Sequence, residues 1–170
     1  MKLIVAVDMN WGIGKGGDLL IKIPEDMKRF RECTERKVIV MGRRTLESFP
    51  DGKPLKNRLN VVMTREPEGI TPIADNLVVV SSMHELIYYL NTLDDSYRSD
   101  DIYIIGGGQI YHQMVDYCDK AIVTKIGQEF DSDTFCPNLD KLTNWRLVDE
   151  SPVNYYNGIP YKFCEYQNIL

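Results

Sequence analysis

The chain has 170 residues, of which 44% are hydrophobic and 26% charged, with a net charge of −5. That length holds one domain with a full core and is short for two, and the acidic balance argues against non-specific nucleic-acid binding, which needs a basic face. The four cysteines (Cys33, Cys118, Cys136, Cys164) form no CxxC pair, so buried reduced thiols are expected, with neither a disulfide framework nor a metal site.

The N-terminal apolar run stops at Asp8, too short for a secretion signal, and no later run has the ~18 apolar residues of a membrane span. The chain therefore reads as cytoplasmic. Leu3–Val7 is nearly continuous and apolar, the pattern of a strand buried on both faces. Residues 8–24 hold four glycines and no stable period, so they are expected to form a long loop able to cover a site. Pro24 opens a helix running to about Thr34. Residues 37–42 form a second buried strand followed by the short helix RRTLESF, and residues 58–64 and 76–81 add further strands. Residues 83–93 form an amphipathic helix, 94–100 a polar turn, and 101–108 a strand ending in glycines. The helix QIYHQMVDY comes next, followed by a strand over 120–126. Strands over 144–150 and 161–167 are expected as a hairpin, with Asn157-Gly158 in its turn. Strands alternating with helices predict an α/β fold. It is a single domain with a central, mostly parallel eight-stranded sheet, an antiparallel C-terminal strand, and about four helices on both faces. Ligands of such sheets bind beyond the carboxyl ends of the strands.

Gly12-Ile13-Gly14-Lys15-Gly16-Gly17 matches a dinucleotide fingerprint in letters alone. The fingerprint needs a helix to begin there, and DLLIKIP with Pro24 does not supply one. Ile104-Ile105-Gly106-Gly107-Gly108 is a better candidate, because a buried strand leads through glycines into a helix. Glycines allow close approach of a phosphate to free N–H groups, although a plain tight turn would look the same. Gly42-Arg43-Arg44-Thr45 places two cations at a helix start, against the dipole. Thr64-Arg65 follows another strand. Solvated arginines would explain both, and so would a phosphate on a ribose, such as the 2′-phosphate of NADP. Glu25 and Asp26 suit a first helical turn, yet Asp26 shares a face with Phe30 at i, i+4. A carboxylate in apolar surroundings needs a partner, and a heterocycle edge with two parallel N–H donors would provide one. His84 and His112 lie on helix surfaces and show no metal-ligand spacing.

Taken together, the chain resembles dihydrofolate reductase over nearly its whole length. The matching pieces are Asp8-Met9-Asn10-Trp11-Gly12-Ile13-Gly14, Pro24-x-Asp26-x-x-x-Phe30, Met41-Gly42-Arg43-Arg44-Thr45-x-x-Ser48, Pro54-Leu55-x-x-Arg58-x-Asn60, Ile105-Gly106-Gly107-Gly108-x-x-Tyr111, Thr124-x-Ile126, and Asp133-Thr134 before Pro137. The resemblance implies NADPH-dependent reduction of dihydrofolate to tetrahydrofolate, which supplies one-carbon metabolism, by a monomer without metal, nucleic-acid or membrane partners. It implies that Asp26, with Thr124, holds the 2-amino and N3 edge of the pteridine. Ile4, Val5, Met27, Phe30, Phe49 and Leu55 would enclose the substrate rings, and Arg58 would take the glutamate carboxylate. Ala6, Ile13, Gly14, Gly42, Thr45, Ile105, Gly107, Gly108, Gln109, Ile110 and Tyr111 would hold the nicotinamide and pyrophosphate. Arg43, Arg44, Thr64 and Arg65 would surround the 2′-phosphate. One departure concerns the loop: the family's Leu-Pro-Trp reads Leu19-Leu20-Ile21 here, which removes an indole donor near the acid. Two alternatives share much of this pattern, a reductase of a ribosylated pyrimidine in riboflavin synthesis and a nucleotide-binding module without catalysis. The first should lack the set Asp26, Phe30 and Arg58.

Overall fold

The computed structural model describes residues 1–70 and 74–170. In chain order the elements are β1 (Lys2–Val7), β2 (Gly12–Lys15), β3 (Asp18–Leu19), α1 (Pro24–Thr34), β4 (Val38–Gly42), α2 (Arg43–Glu47), β5 (Leu59–Met63), β6 (Leu77–Val80) and α3 (Met83–Asn91). They continue with β7 (Ile102–Gly106), α4 (Gly108–Met114), β8 (Lys120–Ile126), β9 (Thr134–Phe135), β10 (Trp145–Glu150), β11 (Asn154–Tyr156) and β12 (Ile159–Asn168). The main sheet runs β10-β12-β8-β1-β7-β4-β5-β6, and β11 pairs with β12 outside that path. β8, β1, β7, β4, β5 and β6 are mutually parallel, and β12 runs antiparallel to β8.

Alternation along the strands divides the core between two faces. Leu3, Val5, Val38, Val40 and Val61 pack with Leu86 and Leu90 of α3 and with Ile110 and Met114 of α4. Ile4, Ile39, Met41 and Val62 pack with Phe30 of α1 and Leu46 of α2. Helices therefore cover both faces, as the sequence pattern predicts, and each fully buried Leu or Ile contributes about 1.5–3 kcal/mol. Among the described residues, no helix is long and apolar enough to cross a membrane.

α1 begins without a side-chain cap, with Pro24 in its first turn, where the missing N–H loses no helical bond. Glu25 and Asp26 occupy that same turn. At the other end Thr34 Oγ donates to the carbonyl of Phe30 at 2.7 Å, and Arg36 follows at φ 63°.

Two expectations need correction. Residues 8–24 are not one irregular loop, because β2 pairs with β3 and also with β9, forming a second small sheet. The Asn157-Gly158 turn joins β11 to β12, not β10 to β12. Both of its residues have positive φ, 49° and 77°, as a two-residue hairpin turn requires.

Candidate active site

Because β1, β4, β5, β7 and β8 are parallel, their carboxyl ends lie along one edge, and the first turn of α1 stands in front of it. Thr124 of β8, 2% exposed, donates its hydroxyl to Asp26 Oδ1. β8 holds Thr124 between Ala6 of β1 and Phe163 of β12. Asp26 is half-buried, and burial raises its carboxyl above the ordinary value, while the Thr124 bond and then the Arg29 charge pull it back in part. An acid held this way is poised to pair with a donor that enters the cleft.

The apolar wall beside it comes from β1, from α1 and α2, and from the segment that follows α2. Ile4 packs in one cluster with Phe30, Leu46, Phe49 and Leu55, whereas the Val5 side chain is buried on the opposite face of the sheet, with the α3 and α4 residues, and is not part of this wall. Tyr111 reaches across from α4 to donate its hydroxyl to the carbonyl of Ile4 at 2.7 Å. Met27 is 49% exposed, so it does not pack in the core. Ile21 packs with Ile23, Ala6, Phe130 and Tyr161 in a separate apolar cluster. Arg58 is further out. Its Nε donates to Thr34 at 3.0 Å and one Nη to the Lys56 carbonyl at 3.1 Å, and it lines an open cavity of about 280 Å³ with Arg36, Asn57 and Tyr97.

The glycine turn joins β7 to α4. Gly106 has φ 123° and is followed by a cis peptide bond to Gly107. A Cβ on Gly108 would lie 2.8 Å from the Thr134 methyl and 3.0 Å from the Phe135 carbonyl, whereas one on Gly107 would meet Thr45 Oγ1 at 3.7 Å. Gly108 is thus a packing requirement, and Gly107 faces more open space beside Thr45. Gly42 adjoins the same turn, its added Cβ 3.2 Å from Ile110. Ile105 and Ile13 are partly buried. Gly14 approaches Asp18 so closely that a Cβ would lie 2.6 Å from its carbonyl oxygen. Ile110 and Tyr111 belong to the buried core, with the Tyr111 ring packed against Gly106 and the Ile110 side chain against Gly42, and Gln109 is exposed.

β4 and β5 end side by side, with Gly42 opposite Met63, and this brings Arg43, Arg44, Thr64 and Arg65 to one corner. Arg43 is already paired there: Nε donates to Glu47 at 2.7 Å and an Nη to Glu66 at 3.3 Å. The conflict between cation and helix dipole is therefore met within the protein at Arg43, while Arg44 and Arg65 are exposed.

The sequence motifs contain Asp8 and Asp133 but do not show how these residues shape the loop. Asp8 is 2% exposed and accepts from the amides of Asn10 and Gly12 at 2.8 Å, from the amide of Phe130 at 3.0 Å and from Ser132 Oγ at 3.3 Å. Asp133 accepts from the Gly16 amide at 2.9 Å. Asp8 stands in a quoted motif, but its partners at 130 and 132 have no local signal.

Glycine-lined strand ends, a corner of cations and a sheltered acid along one edge of a doubly covered parallel sheet define an α/β enzyme built for a nucleotide cofactor. The dihydrofolate reductase family model matches residues 1–168, and the chain belongs to that family, whose members are nicotinamide-dependent oxidoreductases that reduce dihydrofolate to tetrahydrofolate. It is 34% identical to the dihydrofolate reductase of Bacillus subtilis, over 98% of this chain and 94% of that one. It is 33% identical to that of Mus musculus, over 98% and 96%. The bifunctional dihydrofolate reductase-thymidylate synthase of Glycine max is 35% identical over 99% of this chain. The chain spans about a third of the length of the bifunctional relatives it matches, 33% and 34%.

Proposed function

We propose that this chain reduces 7,8-dihydrofolate to 5,6,7,8-tetrahydrofolate with NADPH, acting in the cytoplasm as a monomeric single domain spanning residues 1–170. The observation that carries the reading is Asp26, bonded to Thr124 and raised by burial, at the mouth of an apolar wall.

Asp26 accepts the 2-amino and N3 hydrogens of the pteridine, and Thr124 fixes the carboxylate's orientation. Ile4, Phe30, Phe49 and Leu55 exclude water around the rings, and Met27 closes the outer side. Arg58 keeps part of its guanidinium for a carboxylate, because Thr34 and Lys56 account for only two of its donors. The cofactor fits the residues present: the open side of Gly107 faces Thr45, and Arg44 and Arg65 offer cations at the neighbouring corner. Ala6, Ile13, Gly14, Gly42, Ile105 and the 107–111 turn hold its nicotinamide and pyrophosphate. Arg43, Arg44, Thr64 and Arg65 distinguish NADPH from NADH. When bound, that cofactor supplies the hydride that adds to C6. The proton for N5 comes from water admitted beside the 8–24 segment, with the Asp26 charge polarising the ring. Ile21 offers no donor to that water, so the burden on Asp26 and Thr124 is greater.

Loss of NADPH absorbance with dihydrofolate tests the reading. Wild type turns over and Asp26→Asn loses most activity; equal turnover in both refutes the role of Asp26.

A further inference from the structure

One helical turn beyond Asp26, α1 carries a cation on its covered side. Arg29 has 23% of its side chain exposed, and its closest approach to an acid is 3.7 Å, from Nη2 to Glu165 Oε1, too long for a hydrogen bond. Its guanidinium lies over the Phe163 ring of β12, with 4.5 Å from Cζ to the centroid. Nη1 is buried and has no hydrogen-bond partner among the described residues. Phe163 is in turn held edge-on by Tyr161, at 5.6 Å and 71°.

Arg43 presents the opposite condition, with two of its donors placed on Glu47 and Glu66. The charge of Arg29 is not cancelled in that way. Glu25 and Glu32 lie one turn away on its helix but are exposed, whereas Asp26 is half-buried. A charge acts most strongly where water is excluded. Glu165 is nearer to Arg29 but half exposed, whereas Asp26, three residues before Arg29 on the helix, is the half-buried acid its charge reaches.

We propose that Arg29 is a positioning residue of this site: its guanidinium, stacked on Phe163 and incompletely paired, keeps Asp26 in the carboxylate form that the pteridine edge requires. The inference rests on the role given to Asp26 under the proposed function. The groups around the acid agree with it. α1 contributes Glu25 and Arg29, β8 contributes Thr124, α4 contributes Tyr111, and β12 contributes Tyr161, with Glu165 beyond Arg29. Lys125 follows Thr124 on β8 but bonds Asp140 and Tyr166. Cys33 also lies within reach of the Arg29 and Lys2 charges. Burial raises the Asp26 carboxyl, and the Thr124 bond and the Arg29 charge oppose that rise. With Ile21 in place of an indole donor, a fixed cation is a second means of keeping this acid ionised.

The test titrates the Asp26 carboxyl by carbon-13 NMR in the free protein, alongside kcat and KM against pH, for Arg29→Gln and Arg29→Lys. In Arg29→Gln the Asp26 titration moves to higher pH. The KM for dihydrofolate rises about three- to tenfold at fixed pH, with kcat changed less. Arg29→Lys keeps the charge without the stacked plane and returns the titration most of the way. An unmoved titration in folded Arg29→Gln overturns the proposal, and so does an equal displacement in both variants, because that would mean packing alone. Should Arg29→Gln fail to fold, Glu165→Gln decides: removing the nearby acid moves the titration to lower pH, and no movement overturns the proposal. The titration does not depend on turnover, so a wild type inactive with dihydrofolate would refute the function while leaving this comparison to stand or fall separately.

Discussion

At the α1 end of the cleft, Asp26 is half-buried, bonded to a threonine that is 2% exposed, and raised by its surroundings. At the α2 end, Arg44 and Arg65 are exposed and Arg43 is divided between two glutamates. Both ends are charged, but water reaches one of them freely. Where water is excluded, a single charge acts with several times the strength it has at a solvated corner. The acid end is therefore built beforehand, while the cation end relies on several weak, replaceable contributions.

The largest expected effect follows from that difference. Asp26→Asn should lower turnover by about 10²–10⁴-fold and at the same time stabilise the protein near neutral pH. The sign follows from the raised carboxyl. A folded value above the unfolded one contributes stability that is complete below the ordinary carboxylate range and is lost as pH rises through the folded value. Asn avoids that loss, so its melting temperature exceeds wild type near pH 7 and converges with it at low pH. A lower melting temperature at neutral pH would break the contrast between the two ends.

The glycine turn between them separates packing from binding. Gly108→Ala, with its Cβ forced to 2.8 Å from the Thr134 methyl, should cost about 1–3 kcal/mol in urea unfolding. Gly107→Ala, whose Cβ meets only Thr45 at 3.7 Å, should keep the fold and weaken NADPH binding. Equal unfolding curves for the two would contradict the assignment. Thr124→Val removes the donor to Asp26 and should raise its titration further, with roughly tenfold weaker substrate binding; an unchanged pH profile would show the bond to be incidental. The smallest effect is expected at the exposed corner. Arg43→Ala with Arg65→Ala should reduce the preference for NADPH over NADH by several-fold, and less at high salt. Equal loss with both cofactors would place the 2′-phosphate elsewhere.

Much of the fold was legible before any coordinates, and for a local reason. Helix α1 falls on Pro24–Thr34 as expected, because a proline at the start and apolar residues three apart (Met27, Phe30, Cys33) act within a few positions of one another. The buried strands announce themselves by unbroken apolar runs, and the glycines of 106–108 by the strand before them. Parts of the site were legible on the same terms: Asp26 and Phe30 share a helix face, and Arg43 and Arg65 each follow a strand. The pairing of β2 with β9 was not legible, since a two-residue strand at Thr134–Phe135 has no period.

What only the tertiary structure decided is which groups answer one another across the chain. Asp8 meets the amide of residue 130, Arg43 meets Glu66, Thr124 meets Asp26, and Arg29 settles on Phe163. Sequence specifies each residue's chemistry and its near neighbours. Whether a charge is buried, paired or left over depends on surfaces brought together from distant segments, and no local pattern encodes that.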